Sequence, residues 1–432
     1  MVGIVLFLTA LCLLFVGYPI AFTFAGVSLL FGWYAMGVDL FAFMPFRIMS
    51  IMQNTILMAV PLFIFMGIVL QKSKLAERLL ESMATLFGEL RGGLAISTII
   101  VGAFLAASTG VVGASVVAMG VISLPVMMKY NYDKRLATGV ICASGTLGQI
   151  IPPSIILIIL GDVMGLPVGD LFQAALWPGI ALILSYVLYV TIIAWRHPER
   201  APAIKVSEED KAKAIKKALF AIIPPLFLIV AVLGSIFSGI ATPTESSALG
   251  GVGAIILALF SGNFKPMMLI DSAKETTKVT AMVFAVLIGA TAFAMVFTYT
   301  GGDYLVEEFM LGLPGEKWTF IGLSMLAILI LGFFIDFVEI AFIIVPILTP
   351  IAESLGINMV WFAILIAMNL QSSFLTPPFG FSLFYLKGVA PKGIVTTDIY
   401  KGVIPFILLQ VFVLALLVIF PELFGMSSML PE

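Results

Sequence analysis

Asp336 and Glu339 stand three residues apart inside a long apolar run, GFFIDFVEIAFIIVPILTPI. Carboxylates are costly inside a bilayer and tend to mark a path for a cation, a proton or a substrate. If the segment is helical, this spacing places both on one side of a turn. The plain alternative for each is a carboxylate that reaches water at a chain reversal. Oxygen-bearing residues also gather at two other irregularities. Residues 144–154 read SGTLGQIIPPS and residues 369–378 read NLQSSFLTPP, each in the middle of an apolar stretch. Proline has no N–H and its ring clashes with the preceding turn, so a spanning helix must break there. The freed backbone groups then need partners within the protein or a water-lined cavity. Unwound carbonyls with a few hydroxyls or carboxylates are a known way to hold Na+ or H+. The candidate cation ligands are Ser108, Ser115, Ser144, Gly145 and Thr146 in the first half of the chain. Asp336, Asn369, Ser372, Ser373 and Thr376 are their counterparts in the second. Taken singly, each hydroxyl could equally bond back to its own helix.

These residues need membrane-embedded helices to position them, and the composition calls for such helices. The chain has 432 residues, 61% hydrophobic and 11% charged, against about 25% charged in a soluble domain. It reads as an all-α polytopic membrane protein. No Walker motif, metal-ligand spacing or Ser/His/Asp set is present, so nothing points to an enzyme or to nucleic-acid binding. Cys12 and Cys142 lie in apolar segments and read as inert thiols.

In chain order, 1–37 forms two spans split at Gly17-Tyr18-Pro19. Residues 39–47 are expected as a loop and 51–70 as a third span. Residues 71–93 are expected as a polar connection, an amphipathic helix on the membrane surface. The stretch 94–128 carries AASTGVVGAS at its centre, which suits either small-residue helix packing or a re-entrant helical hairpin with Ser108, Thr109, Gly110, Gly113 and Ser115 at its tip. Residues 136–160 form the first broken helix and 172–195 span back. Residues 196–217 are the longest polar segment, a linker or a long cytoplasmic loop, with a capped helix start at Ser207. The pattern then begins again. Two spans meet at GIATPTE, where Thr242 or Thr244 caps a helix and Glu245 sits in its first turn. A span, the interrupted stretch 318–351, the Pro-Pro stretch 360–386 and a last span to 420 follow. The two halves are thus 1–195 and 218–421, with a tail at 422–432.

Positive charge decides between packing and hairpin. If both interrupted stretches return to their own side, all of the 22 Lys and Arg except Arg47 and Lys317 fall on one face. That face is then cytoplasmic. A full crossing at either stretch destroys the sorting. The reading is therefore two inverted repeats, each with a re-entrant hairpin and a Pro-Pro-broken helix, and both termini outside. Arg47 and Lys317 on the outer face either meet a partner protein or anchor helix ends. Hairpin N–H groups suit an anion such as a carboxylate.

GAFLAASTGVVGASVVAMG, GQIIPPSI, GIATPTES, GFFIDFVEIAFIIVPILTPI and NLQSSFLTPPFGFSLFYLKG, in this order over nearly the whole chain, resemble the large membrane (M) subunit of tripartite ATP-independent periplasmic (TRAP) transporters. FVEIAF and SFLTPPFGFSLFYLKGVAP look most like the branch associated with mannitol and chloroaromatic compounds and with 2-oxo or hydroxy acids. Asp336-Phe337 stands where Asp-Pro is common elsewhere in that family. The resemblance implies sodium-driven import of small organic acids by an elevator motion, with no cofactor beyond the coupling Na+. It implies a small four-helix (Q-type) membrane subunit, here not fused to the chain, and a periplasmic (P-type) substrate-binding protein in the bacterial or archaeal inner membrane system. It places sodium at 108–115 with 145–153, and at Asp336 with 372–377. Substrate lies between the hairpin tips, near Thr109, Gly110, Pro152, Pro153, Asn369 and Pro377. A stand-alone carboxylate permease or antiporter is the alternative.

Overall fold

The computed structural model of the chain describes residues 2–204, 208–262 and 264–428. The expected cap at Ser207 and the last four residues of the tail lie outside them. Among the described residues all regular structure is helical.

Helices α1 (Val2–Val16), α2 (Ile20–Met36), α3 (Asp39–Met52), α4 (Ala59–Lys72) and α5 (Leu75–Phe87) come first. Then follow α6 (Gly93–Thr109), α7 (Val112–Lys129), α8 (Lys134–Thr146), α9 (Ile155–Val163) and α10 (Val168–Arg196). The second half runs through α11 (Glu208–Phe237), α12 (Pro243–Phe260), α13 (Pro266–Tyr299), α14 (Gly302–Leu311) and α15 (Glu316–Leu331). It ends with α16 (Phe337–Ser354), α17 (Met359–Leu375), α18 (Phe381–Val389) and α19 (Thr396–Ile419). Among the described residues seven helices are long and apolar enough to cross a membrane, eight if the bent pair α4 and α5 counts as one span.

The order of events in α6–α10 repeats in α15–α19. Two helices meet at a short turn, a third helix breaks before a Pro-Pro pair, a short fourth helix completes it, and a long helix closes. The breaks are short because the half-helices are short. α8 has 13 residues and α9 has 9, which rise roughly 20 and 14 Å, so neither crosses a core of about 30 Å alone. The Pro152-Pro153 and Pro377-Pro378 bonds at these breaks are cis.

Two bodies share the helices. α2 lies along α13, α4 along α12 and α13, and α5 along α11. These, with α1, α3 and α14, form a scaffold. The two interrupted helix pairs, the broken helices, α10 and α19 pack on one another instead. Here α8 crosses α19 backbone to backbone: a Cβ on Gly139 would overlap the Gly402 carbonyl oxygen and stand 2.6 Å from its carbon. Gly139→Val is therefore expected to cost about 1–3 kcal/mol by overpacking, read as a lower thermal midpoint of the purified protein. The chain passes between the bodies at three points, after α5, after α10 and after α14.

Two sequence expectations are corrected. Residues 39–47 are not a loop but the greater part of α3, which runs through Pro45. Its apolar side chains Phe41, Phe43 and Phe46 are exposed, so no buried face marked it as a helix. The connection 71–93 is a helix, but not one lying free on the surface: Leu79, Leu80 and Met83 of α5 are buried against neighbours that include α6 and α11. The polar connection 196–217 is in part helix, since α11 begins at Glu208. The loop before it is pinned to the second body by Gly92 N donating to Ala201 O at 2.9 Å and Asp133 N to Arg200 O at 2.9 Å.

Candidate functional site

The first interrupted stretch turns at Gly110, whose φ of +61° is a left-handed conformation that favours glycine. Across this tip the hydroxyls of Thr109 and Ser115 hydrogen-bond at 2.7 Å. Ser108 Oγ donates to Phe104 O at 2.7 Å and Ser115 Oγ to Val111 O at 3.1 Å. The tip rests on the start of α9, where Ile155 lies against Gly110. The broken helix comes up beside the same arm: Ser144 occupies the space a Cβ on Gly102 would need. Ser144 Oγ donates to Ile141 O at 3.2 Å and Thr146 Oγ1 to Ala143 O at 2.9 Å.

The second half repeats this. α15 ends at Leu331, and Asp336 caps α16 by accepting Phe337 N–H at 2.7 Å. Gly332 lies directly on Ser373 of the second broken helix, and the Phe337 and Phe374 rings are 6.2 Å apart. Ser372 Oγ donates to Met368 O at 3.1 Å, Ser373 Oγ to Leu370 O at 2.7 Å and Thr376 Oγ1 to Ser372 O at 2.7 Å. Asn369 is turned away from the break, its amide donating to Met325 O of α15 at 2.6 Å. It ties the hairpin arm to the broken helix. Both breaks are closed by the same device. The serine that opens or follows the Pro-Pro turn bonds back across it, Ser154 Oγ to Gln149 O at 2.6 Å and Ser382 Oγ to Phe374 O at 2.8 Å. A freed carbonyl is thereby satisfied without water.

These hydroxyls have one chemical property in common. Each gives its proton to a helix carbonyl or to another hydroxyl, which leaves oxygen lone pairs as its remaining capacity. With the Asp336 carboxylate and the backbone carbonyls, the donor set is oxygen only. It suits a hard cation and not a thiophilic metal. Ser108, Thr109, Ser115, Ser144, Thr146, Ser372 and Ser373 are buried and Thr376 is half-buried. Gly145 and the Pro152-Pro153 pair are buried beside them, and Pro377 is half-buried. The candidates form two groups, each a tip with its own broken helix.

Tyr385 of α18 joins the groups and was not singled out from sequence. Its ring covers Gly113 at the first tip, where a Cβ would lie 2.9 Å from Cζ, and its phenol is within electrostatic reach of Asp336. In the sequence it is one aromatic in an apolar helix. Nor did the sequence single out the polar contact deep in the second body. The Gln410 amide nitrogen donates to the Tyr186 hydroxyl at 2.8 Å and to Thr146 Oγ1 at 3.4 Å, and Gln371 lies beside the same phenol.

The scaffold touches each hairpin. α13 packs on the first turns of α16. On α4, Gly67 meets the first tip so closely that a Cβ would overlap Ser108 O and lie 2.5 Å from Thr109 Cα. Asn54 Nδ2 donates to Asp162 Oδ1 at the end of α9, at 2.5 Å, and is a polar link between the bodies. Glu245 forms a capping box with Thr242: its Oε2 accepts Thr242 N–H at 2.8 Å, and its own N–H bonds Thr242 Oγ1 at 3.3 Å. Lys317 holds the C-terminal segment through Ser428 O at 3.1 Å and lies over the Trp361 ring at 5.3 Å, so it anchors a helix end.

Apolar helices with paired helix breaks define a multi-pass membrane protein. Comparison with known proteins gives the family. Residues 7–423 match the model of the tripartite ATP-independent periplasmic transporter, DctM component, and the chain belongs to that family. It is 31% identical over 386 residues to the C4-dicarboxylate TRAP transporter large permease protein DctM of Pseudomonas aeruginosa, covering 87% of this chain and 88% of that one. It is 28% identical to the sialic acid TRAP transporter large permease protein SiaM of Vibrio cholerae, over 97% and 96% of the two chains. Among solved structures the Alcanivorax borkumensis YdaH transporter has a similar fold, with TM-score 0.61, 14% identity and 90% of each chain covered.

Proposed function

We propose that this chain is the large permease subunit of a sodium-coupled importer of small organic acids that works by an elevator motion. The observation that carries the proposal is the grouping of both hairpins and both broken helices into one body, set against a separate scaffold. That is the division of labour a sliding carrier needs. The charge balance supports sodium. Neither tip nor break contains Lys or Arg: residues 106–115, 144–154, 332–339 and 369–380 have none. The charged side chains that a substrate carboxylate would meet at the tips are Asp336 and Glu339, both of its own sign. Bound Na+ would supply the counter-charge there, held by Asp336, Ser372 and Thr376 on one side and by Ser108, Ser115, Ser144, Gly145 and Thr146 on the other.

The relatives' names, C4-dicarboxylate and sialic acid, are both those of carboxylic acids. Within that class the FVEIAF and SFLTPPFGF wording favours 2-oxo or hydroxy acids, the mannitol/chloroaromatic-type branch. The partners are a small four-helix membrane subunit and a periplasmic binding protein, the setting is the inner membrane, and both termini face the periplasm. Reconstitution tests this. Uptake into proteoliposomes is expected only with all three components and an inward Na+ gradient. Uptake by the lone chain overturns the tripartite assignment, and uptake indifferent to Na+ overturns the coupling.

A further inference from the structure

Glu339 lies one turn beyond Asp336 at the start of α16 and is 3% exposed. Its carboxylate stands at the third helical position after the capping Asp336, within reach of the backbone N–H groups of Asp336 and of its own residue. Oε2 has no hydrogen-bond partner, and none of the ion pairs among the described residues involves Glu339. The neighbours in its own helix are Val338, Ile340 and Phe342, all buried and apolar. Asp336, close enough to interact, has the same sign. A buried carboxylate without a partner is tolerated as an ion only when something compensates its charge, and among the described residues no ion pair does so.

We infer that Glu339 is a second carboxylate ligand of the cation held at the second hairpin, so that this site presents two full negative charges through Asp336 and Glu339. The inference rests on the sodium-coupled reading. The ligand class is a hard monovalent cation, sodium in the transport cycle. Asp336 and Glu339 approach it from successive turns of one helix, and Oε2 is the unfilled position. The Asp-x-x-Glu spacing makes the carboxylate that caps the helix and the carboxylate one turn on into one chelating unit.

The test is sodium binding by the complete purified chain, read as the thermal midpoint against NaCl, with choline chloride holding ionic strength constant. Sodium is expected to raise the midpoint of the native protein and choline to leave it. Glu339→Gln retains an acceptor for the cap and removes the charge. It is expected to keep the midpoint in choline and to need about tenfold more sodium for half the effect, as fits loss of one charge-assisted ligand. If this variant does not fold, Glu339→Asp serves instead, keeping the charge on a shorter arm, with the sodium dependence weakened but present. A Glu339→Gln titration that coincides with the native one overturns the inference. Glu339 is then a cap or a protonated acid, and the sodium reading stands. A native protein that does not respond to sodium overturns both.

Discussion

Gly67→Val is expected to lower uptake by the reconstituted transporter roughly hundredfold while leaving the permease inserted and folded. Gly67 is the point where scaffold helix α4 meets the first hairpin tip. A Cβ there would meet Ser108 O and Thr109 Cα. Both are backbone atoms, so no rotamer change relieves the overlap. Overpacking of this kind costs about 1–3 kcal/mol. Placed on one state of a moving carrier, that slows passage through it roughly ten- to hundredfold, and the branched valine lies at the upper end. The penalty falls on the contact between the bodies and not on either body's own packing. Initial uptake rate and thermal midpoint, measured together, check it. An unchanged rate would show that α4 and the tip do not need to meet during transport.

Asp336→Asn is expected to lower uptake roughly ten- to hundredfold, with the sodium dependence weakened and the thermal midpoint in choline unchanged. Asparagine caps a helix about as well as aspartate and can still accept Phe337 N–H, so the start of α16 is kept. What is lost is charge. A hydrogen bond or ligand bond to a charged group is worth about 1.5–3 kcal/mol, which sets the size of the effect. Uptake at native rate and native sodium dependence would remove Asp336 from the cation site and leave it a capping residue.

What could be read from the sequence follows from where the chemistry is local. The Pro-Pro breaks at 152–153 and 377–378 are visible because proline acts on its own helix. The turn at Gly110 is likewise written in consecutive residues, and Thr242-Pro243-Thr244-Glu245 announces its capping box. Helix α3 was missed for the opposite reason. Its aromatic residues face outward, so its period carries no buried stripe, and Pro45 reads as an interruption. Gly67, Tyr385 and the Tyr186–Gln410 pair depend on segments far apart in the chain. Gly67 is one glycine among 39, and only the approach of α4 to Ser108 gives it meaning. Asn369 shows the converse. Its place near the second break suggested a ligand, and only the structure shows that its Nδ2 also donates to Met325 O, a partner 44 residues away.

The connector after α14 sets a mechanical limit. From Leu311 to Glu316 the chain takes five Cα steps through Gly312, Leu313, Pro314 and Gly315. Pulled straight, it reaches about 18 Å. The scaffold and the body that carries the tips are leashed by this segment, and the turn between α5 and α6 is only one step longer. Any excursion beyond that reach must unwind the end of a helix, so an elevator stroke of the kind proposed above would meet a stop built into the covalent chain. Shortening the leash would curtail the stroke without touching an oxygen of the site.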